Sequence, residues 1–135
     1  MTLLLDTCAA IWIAEDQISP GSEQVLEDTR RRSESIVVSA ITAWELGMLM
    51  ARGRLASPLD PLTWFRRFTA SNLVEVFDLT PDVLVASSYL PGEPPRDPAD
   101  RIIISTAREH DLQLMTRDQQ ILNYAQAGHL QVVAC

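Results

Sequence analysis

Short apolar runs alternate with longer segments of helical character along the chain, and breaker residues separate them. The runs are brief and rich in leucine, isoleucine and valine, which is typical of strands buried in a parallel sheet. We predict strands over residues 2–5, 36–38, 73–77, 112–116 and 131–134. Because strands that alternate with helices favour a covered parallel sheet, the pattern predicts an α/β fold. Its centre is a parallel sheet of four or five strands flanked by helices.

Polar residues that precede proline mark most of the predicted helix starts. A polar side chain caps the free N–H groups of a first turn, and proline suits the first helical position. The four pairs are Ser19-Pro20, Asp60-Pro61, Thr80-Pro81 and Asp97-Pro98. Further helices are predicted from Thr7 and from Ser39, each capped by that residue, and a short one follows Asp118. The Ser39 helix is expected to end at Arg52, since Gly53 suits the position after a helix.

Acidic residues follow or approach the ends of the predicted strands. Asp6 ends the first strand, and Asp118 lies just past the fourth. Asp97 and Asp100 open the helix before the fourth strand, and Glu45 lies in the helix after the second. Sites in open parallel sheets form outside the carboxyl ends of the strands. Carboxylates gathered there repel one another unless a cation neutralises them, and oxygen ligands favour Mg²⁺ or Mn²⁺ over zinc.

Each acid also has a structural interpretation when it is taken alone. Asp97 is a good helix cap, Asp100 complements a helix dipole, and Asp118 suits a turn or a cap. Glu45 could be a solvated helix residue. Asp6 is the hardest to explain structurally, because an unpaired aspartate at the end of an apolar strand is costly.

The charge balance narrows the chemistry. The chain has 135 residues, a formal net charge of −7, and 11 basic residues that are all arginine. The absence of lysine excludes a P-loop, a pyridoxal Schiff base and a lysine nucleophile. The acidic balance argues against general affinity for nucleic acid, but it permits a site that binds phosphate through a cation. Arg96, Arg101 and Arg117 adjoin acids and are candidate phosphate contacts, and a structural or solvated role is an equal alternative.

Neither a membrane segment nor a metal-binding cysteine pair is predicted. No apolar run approaches the roughly 20 residues that a membrane span needs. The first residues include Asp6 and no basic segment, unlike a signal peptide. Cys8 and Cys135 lie at opposite ends of the sequence and are predicted to be reduced thiols. A cytoplasmic protein is therefore expected.

Four segments, in order, resemble the motifs of one known family. They are LLLDT (3–7), SAITAWELGMLMARGRL (39–55), RDPADRIIISTA (96–107) and LMTRDQQI (114–121). Together they resemble PIN-domain ribonucleases, especially the toxins of VapBC-type toxin–antitoxin pairs. Relatives often carry a histidine where this chain has Cys8, and a lysine where it has Leu49. No departure removes a carboxylate.

The resemblance implies one PIN-like nuclease domain over residues 1–135 that hydrolyses RNA phosphodiester bonds with Mg²⁺ or Mn²⁺. Asp6, Asp100 and Glu45 would bind the metal directly or through water, and Asp118 would be a ligand or orient the attacking water. Asp97 would accompany them. The resemblance also implies a small antitoxin partner and a homodimer, or a heterotetramer or larger assembly with the antitoxin.

Two threonines beside the acids, Thr7 and Thr116, are predicted to support the water shell of the site, with capping or strand packing as their alternatives.

Other functions stay open at this point. A haloacid-dehalogenase-like phosphatase also places Asp after its first strand, but it needs a second Asp where this chain has Cys8, and a lysine. A housekeeping PIN nuclease of RNA processing and a non-catalytic binding module are further alternatives.

Overall fold

A computed structural model describes residues 1–135, the whole of the chain, and contains five strands and seven helices. In chain order they are β1 (Leu3–Leu5), α1 (Thr7–Ala14), α2 (Pro20–Arg31), β2 (Ile36–Ser39), α3 (Ile41–Ala51), α4 (Pro61–Ser71), β3 (Val74–Phe77), α5 (Pro81–Ala86), α6 (Pro98–Glu109), β4 (Gln113–Thr116), α7 (Gln119–Ala125) and β5 (Val132–Ala134). Every predicted strand is present, within two residues of its expected bounds.

All five strands are parallel, in the spatial order β3-β2-β1-β4-β5. The predicted α/β class with a central parallel sheet is confirmed. The central strand β1 pairs with β2 on one side and with β4 on the other. The chain extends the sheet first through β2 and β3 and then, beyond β1, through β4 and β5. The carboxyl ends of β1 and β4 therefore flank the point where the direction of winding reverses, which is where such sheets form a crevice for ligands.

Helices cover both faces of the sheet, and each face has its own core. Successive side chains of a strand point to opposite faces. Leu3 and Leu5 accordingly pack into one core with the phenylalanines of α4, Phe65 and Phe68. Leu4 packs into the other core with residues of α6 and α7. The three leucines of β1 are at most 1% exposed, so the sheet centre is a rigid base for the residue that follows it.

The proline-associated caps are confirmed, and two other predicted caps are wrong. Asp6, not Thr7, caps α1, because β1 ends at Leu5, as predicted, and the Asp6 carboxylate accepts the N–H of Ala9. Ser39 is the last residue of β2, and α3 begins after Ala40. The Ser39 hydroxyl still accepts the N–H of Ile41, at 3.1 Å. It therefore binds the first turn of α3 from one residue before the cap position.

The glycine that ends α3 has the conformation expected of it. Gly53 has φ +68°, in the left-handed region that favours glycine.

None of the helices has the combination of length and apolar character that crossing a bilayer requires.

Candidate active site

The acids predicted from the sequence gather at the carboxyl edge of the sheet. Asp6 follows β1 directly, and Asp118 caps α7 just after β4. Asp97 caps α6, Asp100 lies in its first turn, and Glu45 lies on α3. Burial, together with the negative charges of the other four acids, raises the pKa of Asp100 to about 7. Five carboxylates from separate parts of the sequence thus act electrostatically on one small region.

Asp6 is almost fully buried, and it accepts hydrogen bonds from neutral groups alone. Its Oδ1 accepts the N–H of Ala9 at 2.7 Å, and its Oδ2 accepts the hydroxyl of Thr116. Burial raises its pKa to about 6, against the lowering effect of these two bonds, and the charge of Asp118 adds to the increase. These hydrogen bonds satisfy the carboxylate, which would be costly without a partner at the end of an apolar strand. Its charge nevertheless lacks a positive counterpart among these partners, which is costly in a buried position.

The hydroxyl of Thr7 binds Glu45, and the hydroxyl of Thr42 binds Thr7 in turn. Thr7 Oγ1 donates to Glu45 Oε1 at 2.5 Å and lies 3.0 Å from Thr42 Oγ1. Because Thr7 has one hydroxyl proton and gives it to Glu45, Thr42 must donate to Thr7. Burial raises the pKa of Glu45, as do the charges of Asp97 and Asp6. Thr42 was not predicted from the sequence, although its position three residues before Glu45 on the same helix could have indicated it.

Thr116 connects Asp6 with the segment that carries Asp118. Its hydroxyl donates to Asp6 and accepts the backbone N–H of Asp118 at 3.0 Å. Asp118 Oδ1 in turn accepts the N–H groups of Gln120 and Ile121, as a helix cap does. Thr7 and Thr116 bind the carboxylates directly, and their support of a water shell stays a prediction.

Asp97 and Asp118 combine the capping and the site interpretations. Asp97 Oδ1 accepts the N–H of Asp100 at 3.0 Å, so it caps α6. The same side chain raises the pKa of both Asp100 and Glu45. A capping carboxylate has a second oxygen, and here the cap position also faces the other acids. The two interpretations are therefore compatible for both residues.

Cys8 also lies close enough to the acids to be affected by their charge, which was not predicted from the sequence. Partial removal of its thiol from water, together with the charges of Asp6, Glu45, Asp100 and Asp118, raises the thiol pKa to about 12. The thiol is thus a neutral neighbour of the acids and a poor nucleophile or metal ligand, since both roles need the thiolate.

The three candidate arginines occupy different environments. Arg101 Nε donates to the carbonyl of Pro95 at 2.7 Å. Arg117 Nε donates to the carbonyl of Cys135 at 2.9 Å, and its guanidinium lies 3.7 Å from the ring centre of Trp12. Both therefore hold neighbouring backbone in place. Arg96 is exposed and has no hydrogen bond or ion pair within the chain.

The acids fit a hard divalent cation by their chemistry. In the arrangement that the structure shows, no three acid, histidine or cysteine side chains are close enough to hold one ion together. The oxygens of Asp6 and Glu45 bind protein hydroxyls and an N–H group instead. Every carboxylate supplies oxygen ligands, and the raised pKa values of Asp6 and Asp100 mean that their ionised forms lack a stabilising positive charge. Such a set suits Mg²⁺, which takes one or two direct carboxylates and keeps several waters.

Comparisons with known proteins agree with this architecture. A family model described as PIN domain matches residues 3–127. Ribonuclease VapC22 of Mycobacterium tuberculosis (strain ATCC 25618 / H37Rv) is 33% identical over 125 residues, which is 91% of this chain and 92% of the relative.

Solved structures share the fold at lower sequence identity. VapBC2 from Rickettsia felis, bound to a DNA fragment from its promoter, has a TM-score of 0.72 at 16% identity, with 100% of this chain and 99% of that chain covered. A toxin–antitoxin complex from Klebsiella pneumoniae has a TM-score of 0.63 at 22% identity, with coverage of 97% and 95%.

Proposed function

Because the chain belongs to the PIN-domain family, we propose that it is a divalent-metal-dependent ribonuclease and the toxin of a toxin–antitoxin pair. The observation that carries the proposal is the set of acids at the carboxyl ends of β1 and β4. Asp6, Glu45, Asp97 and Asp118 all raise the pKa of Asp100, so they act at one place in the fold. The similarity to a ribonuclease over most of the chain supports RNA as the substrate. We treat residues 1–135 as one nuclease domain.

Asp6, Glu45 and Asp100 would hold Mg²⁺ or Mn²⁺, directly or through water, and Asp118 would be a further ligand or would orient the attacking water. A bound cation would supply Lewis acidity and positive charge for hydrolysis of a phosphodiester. The two threonine hydroxyls fix the carboxylates: Thr116 donates to Asp6, and Thr7 donates to Glu45. Fixed carboxylates need little reorganisation when charge develops on the phosphate.

Arginine is the cationic side chain available for the phosphate, since the chain has no lysine. We assign the first phosphate contact to Arg96, because it adjoins Asp97 in sequence and has no partner within the chain. Arg101 and Arg117 contribute more weakly, because each already donates its Nε to a backbone carbonyl.

A small antitoxin would be the protein partner, because the solved structures that share this fold include toxin–antitoxin complexes. A homodimer, or a heterotetramer or larger assembly with the antitoxin, would be the functional unit. Induced expression of the chain alone should stop growth, whereas expression of the Asp100→Asn variant should not. If the two proteins affect growth equally, a toxin role for the site is wrong, while the nuclease activity is tested separately.

The nuclease activity is tested with purified protein on structured RNAs in Mg²⁺, in Mn²⁺ and in EDTA. We expect cleavage with either metal, none in EDTA, and a large loss in the Asp6→Asn and Asp100→Asn variants. The matched control is Asp60→Asn, because Asp60 also caps a helix but is exposed and is not among the acids that act on Asp100. Equal cleavage by wild type and by folded Asp100→Asn protein would contradict the proposed site.

A further inference from the structure

A cavity of about 720 Å³, lined in part by polar side chains, lies between the loop at residues 91–98 and helix α7. Asp97 lines this cavity, and its Oδ1 accepts the backbone N–H of Asp100 at 3.0 Å. The cavity therefore lies beside the first turn of α6, where Asp97 and Asp100 are. Its volume lies within the range of about 300–1,000 Å³ that is typical of small-ligand sites. Its lining residues Gln120 and Asn123 have no role in the function proposed above.

Side chains from two helices fix the wall of the cavity that the loop forms. The Tyr124 hydroxyl of α7 donates to the carbonyl of Pro91 at 2.7 Å. Arg101 Nε of α6 donates to the carbonyl of Pro95, also at 2.7 Å. Between them, Gly92 has φ +69°, and a Cβ added there would lie 3.2 Å from the His129 ring. The loop is thus held at both ends and packed in its middle, so the cavity is formed before any ligand binds.

The cavity presents side chains that are free to bind a ligand. The Gln120 side-chain amide makes no hydrogen bond within the chain, although its backbone N–H binds Asp118. Asn123 Oδ1 accepts from Gln119 at 2.8 Å, which leaves the Asn123 amide nitrogen free to donate. Arg96 is unpaired as well. Amides bind the edges of bases, and a guanidinium stacks on bases or contacts phosphate.

We propose that this cavity binds one unpaired nucleotide of the RNA substrate, next to the bond that is cut. Gln120 and Asn123 would contact the base edge, and Arg96 would contact its face or its phosphate. The inference rests on the proposed ribonuclease function and extends it to base preference. A peptide helix is a poorer occupant, because it needs an apolar groove and the lining contains no leucine, isoleucine, valine, methionine or phenylalanine.

Binding is tested on the intact chain in EDTA, where no cleavage is expected. The four ribonucleoside 5′-monophosphates are titrated separately while the side-chain amide NMR signals of Gln120 and Asn123 are followed. We expect at least one nucleotide to shift both signals and the same nucleotide to shift them less in Arg96→Ala protein. The Gln24 signal is the control, because Gln24 lies on α2 and binds Asp28 instead. An arginine-rich peptide is titrated in the same way as a competing class of ligand. If no nucleotide shifts the signals, or if only the peptide does, the proposal is wrong.

Base preference is tested by sequencing the ends that wild type and Gln120→Ala/Asn123→Ala protein produce from a randomised RNA in Mg²⁺. We expect the preference at one position beside the cut to fall by about tenfold, the scale of one lost base contact. The kcat should change less than KM, and Gln24→Ala should keep the wild-type preference. An unchanged preference in the double variant would overturn the subsite. If wild-type protein cuts no RNA, the proposed function fails, and the NMR titration alone then decides whether the cavity binds nucleotides.

Discussion

Asp6→Asn should stabilise the cation-free protein at neutral pH, although it removes a carboxylate that we assign to the site. Asp6 is 4% exposed. Burial raises its pKa from 3.8 to about 6, so the folded chain holds this proton more tightly than the unfolded chain does. Asparagine is neutral at every pH, and its side-chain oxygen can accept the N–H of Ala9, so the cap of α1 is retained.

The size of the effect follows from the linkage between proton binding and folding. Because the pKa of Asp6 is raised in the folded chain, its proton stabilises the fold. This contribution is complete below about pH 4 and is lost as the pH rises through 6. At pH 7 the ionised carboxylate costs about 3 kcal/mol, and at pH 4.5 about 1 kcal/mol. Loss of the acceptor for the Thr116 hydroxyl offsets about 1 kcal/mol of the gain in the variant. The variant should therefore gain about 2 kcal/mol at pH 7 and almost nothing at pH 4.5.

Urea unfolding in EDTA, followed by circular dichroism at both pH values, measures this difference. Asp60→Asn is the matched control, since Asp60 is exposed and hydrogen bonds to Thr63 lower its pKa. Its charge favours folding, so this variant should gain no stability at pH 7. The reasoning is refuted if Asp6→Asn is no more stable than wild type at pH 7, or if its gain is the same at pH 4.5.

Three further predictions follow from individual contacts. Thr116→Val removes the hydroxyl that donates to Asp6, so Mg²⁺ affinity by calorimetry should fall about tenfold, and Thr116→Ser should restore it; equal affinity in the valine variant would contradict this role. Apparent Mg²⁺ affinity should weaken as the pH falls from 8 to 6, because protons compete for Asp6 and for Asp100, whose pKa is about 7; a pH-independent affinity would show that these acids do not bind the ion. Gly92→Ala should lower the free energy of unfolding by about 1–2 kcal/mol, because φ is +69° and the added Cβ meets the His129 ring; unchanged urea unfolding would contradict the fixed loop.

The fold was largely predictable because its signals are local. Each proline-associated cap, such as Asp97-Pro98, predicts the start of a helix from two adjacent residues. The three leucines of β1 indicate a buried strand in the same local way. The end of that strand was predicted correctly, but the cap of the helix that follows it was misplaced by one residue. Thr and Asp both cap helices well, and the backbone alone decides that Asp6 occupies the cap position.

The acids of the candidate site could be predicted because sites in parallel sheets form outside the carboxyl ends of the strands, wherever those strands lie in the sequence. The residues that hold these acids in place were harder to predict. The bond from Thr116 to Asp6 joins residues 110 positions apart, and the effect of the acids on the Cys8 thiol depends on packing between separate elements. The cavity beside Asp97 also needed the structure, because its wall depends on Tyr124 and Arg101 reaching the loop from two helices.

The most direct test of the central claim, that these acids form one cation site, is a titration with Mn²⁺ followed by electron paramagnetic resonance. Wild-type protein should bind the ion at neutral pH, and Asp100→Asn protein should bind it at least about tenfold more weakly. Asp60→Asn protein should match wild type, since Asp60 is exposed and caps α4. Equal Mn²⁺ affinity in wild-type and folded Asp100→Asn protein, or no binding by wild type, would contradict the account.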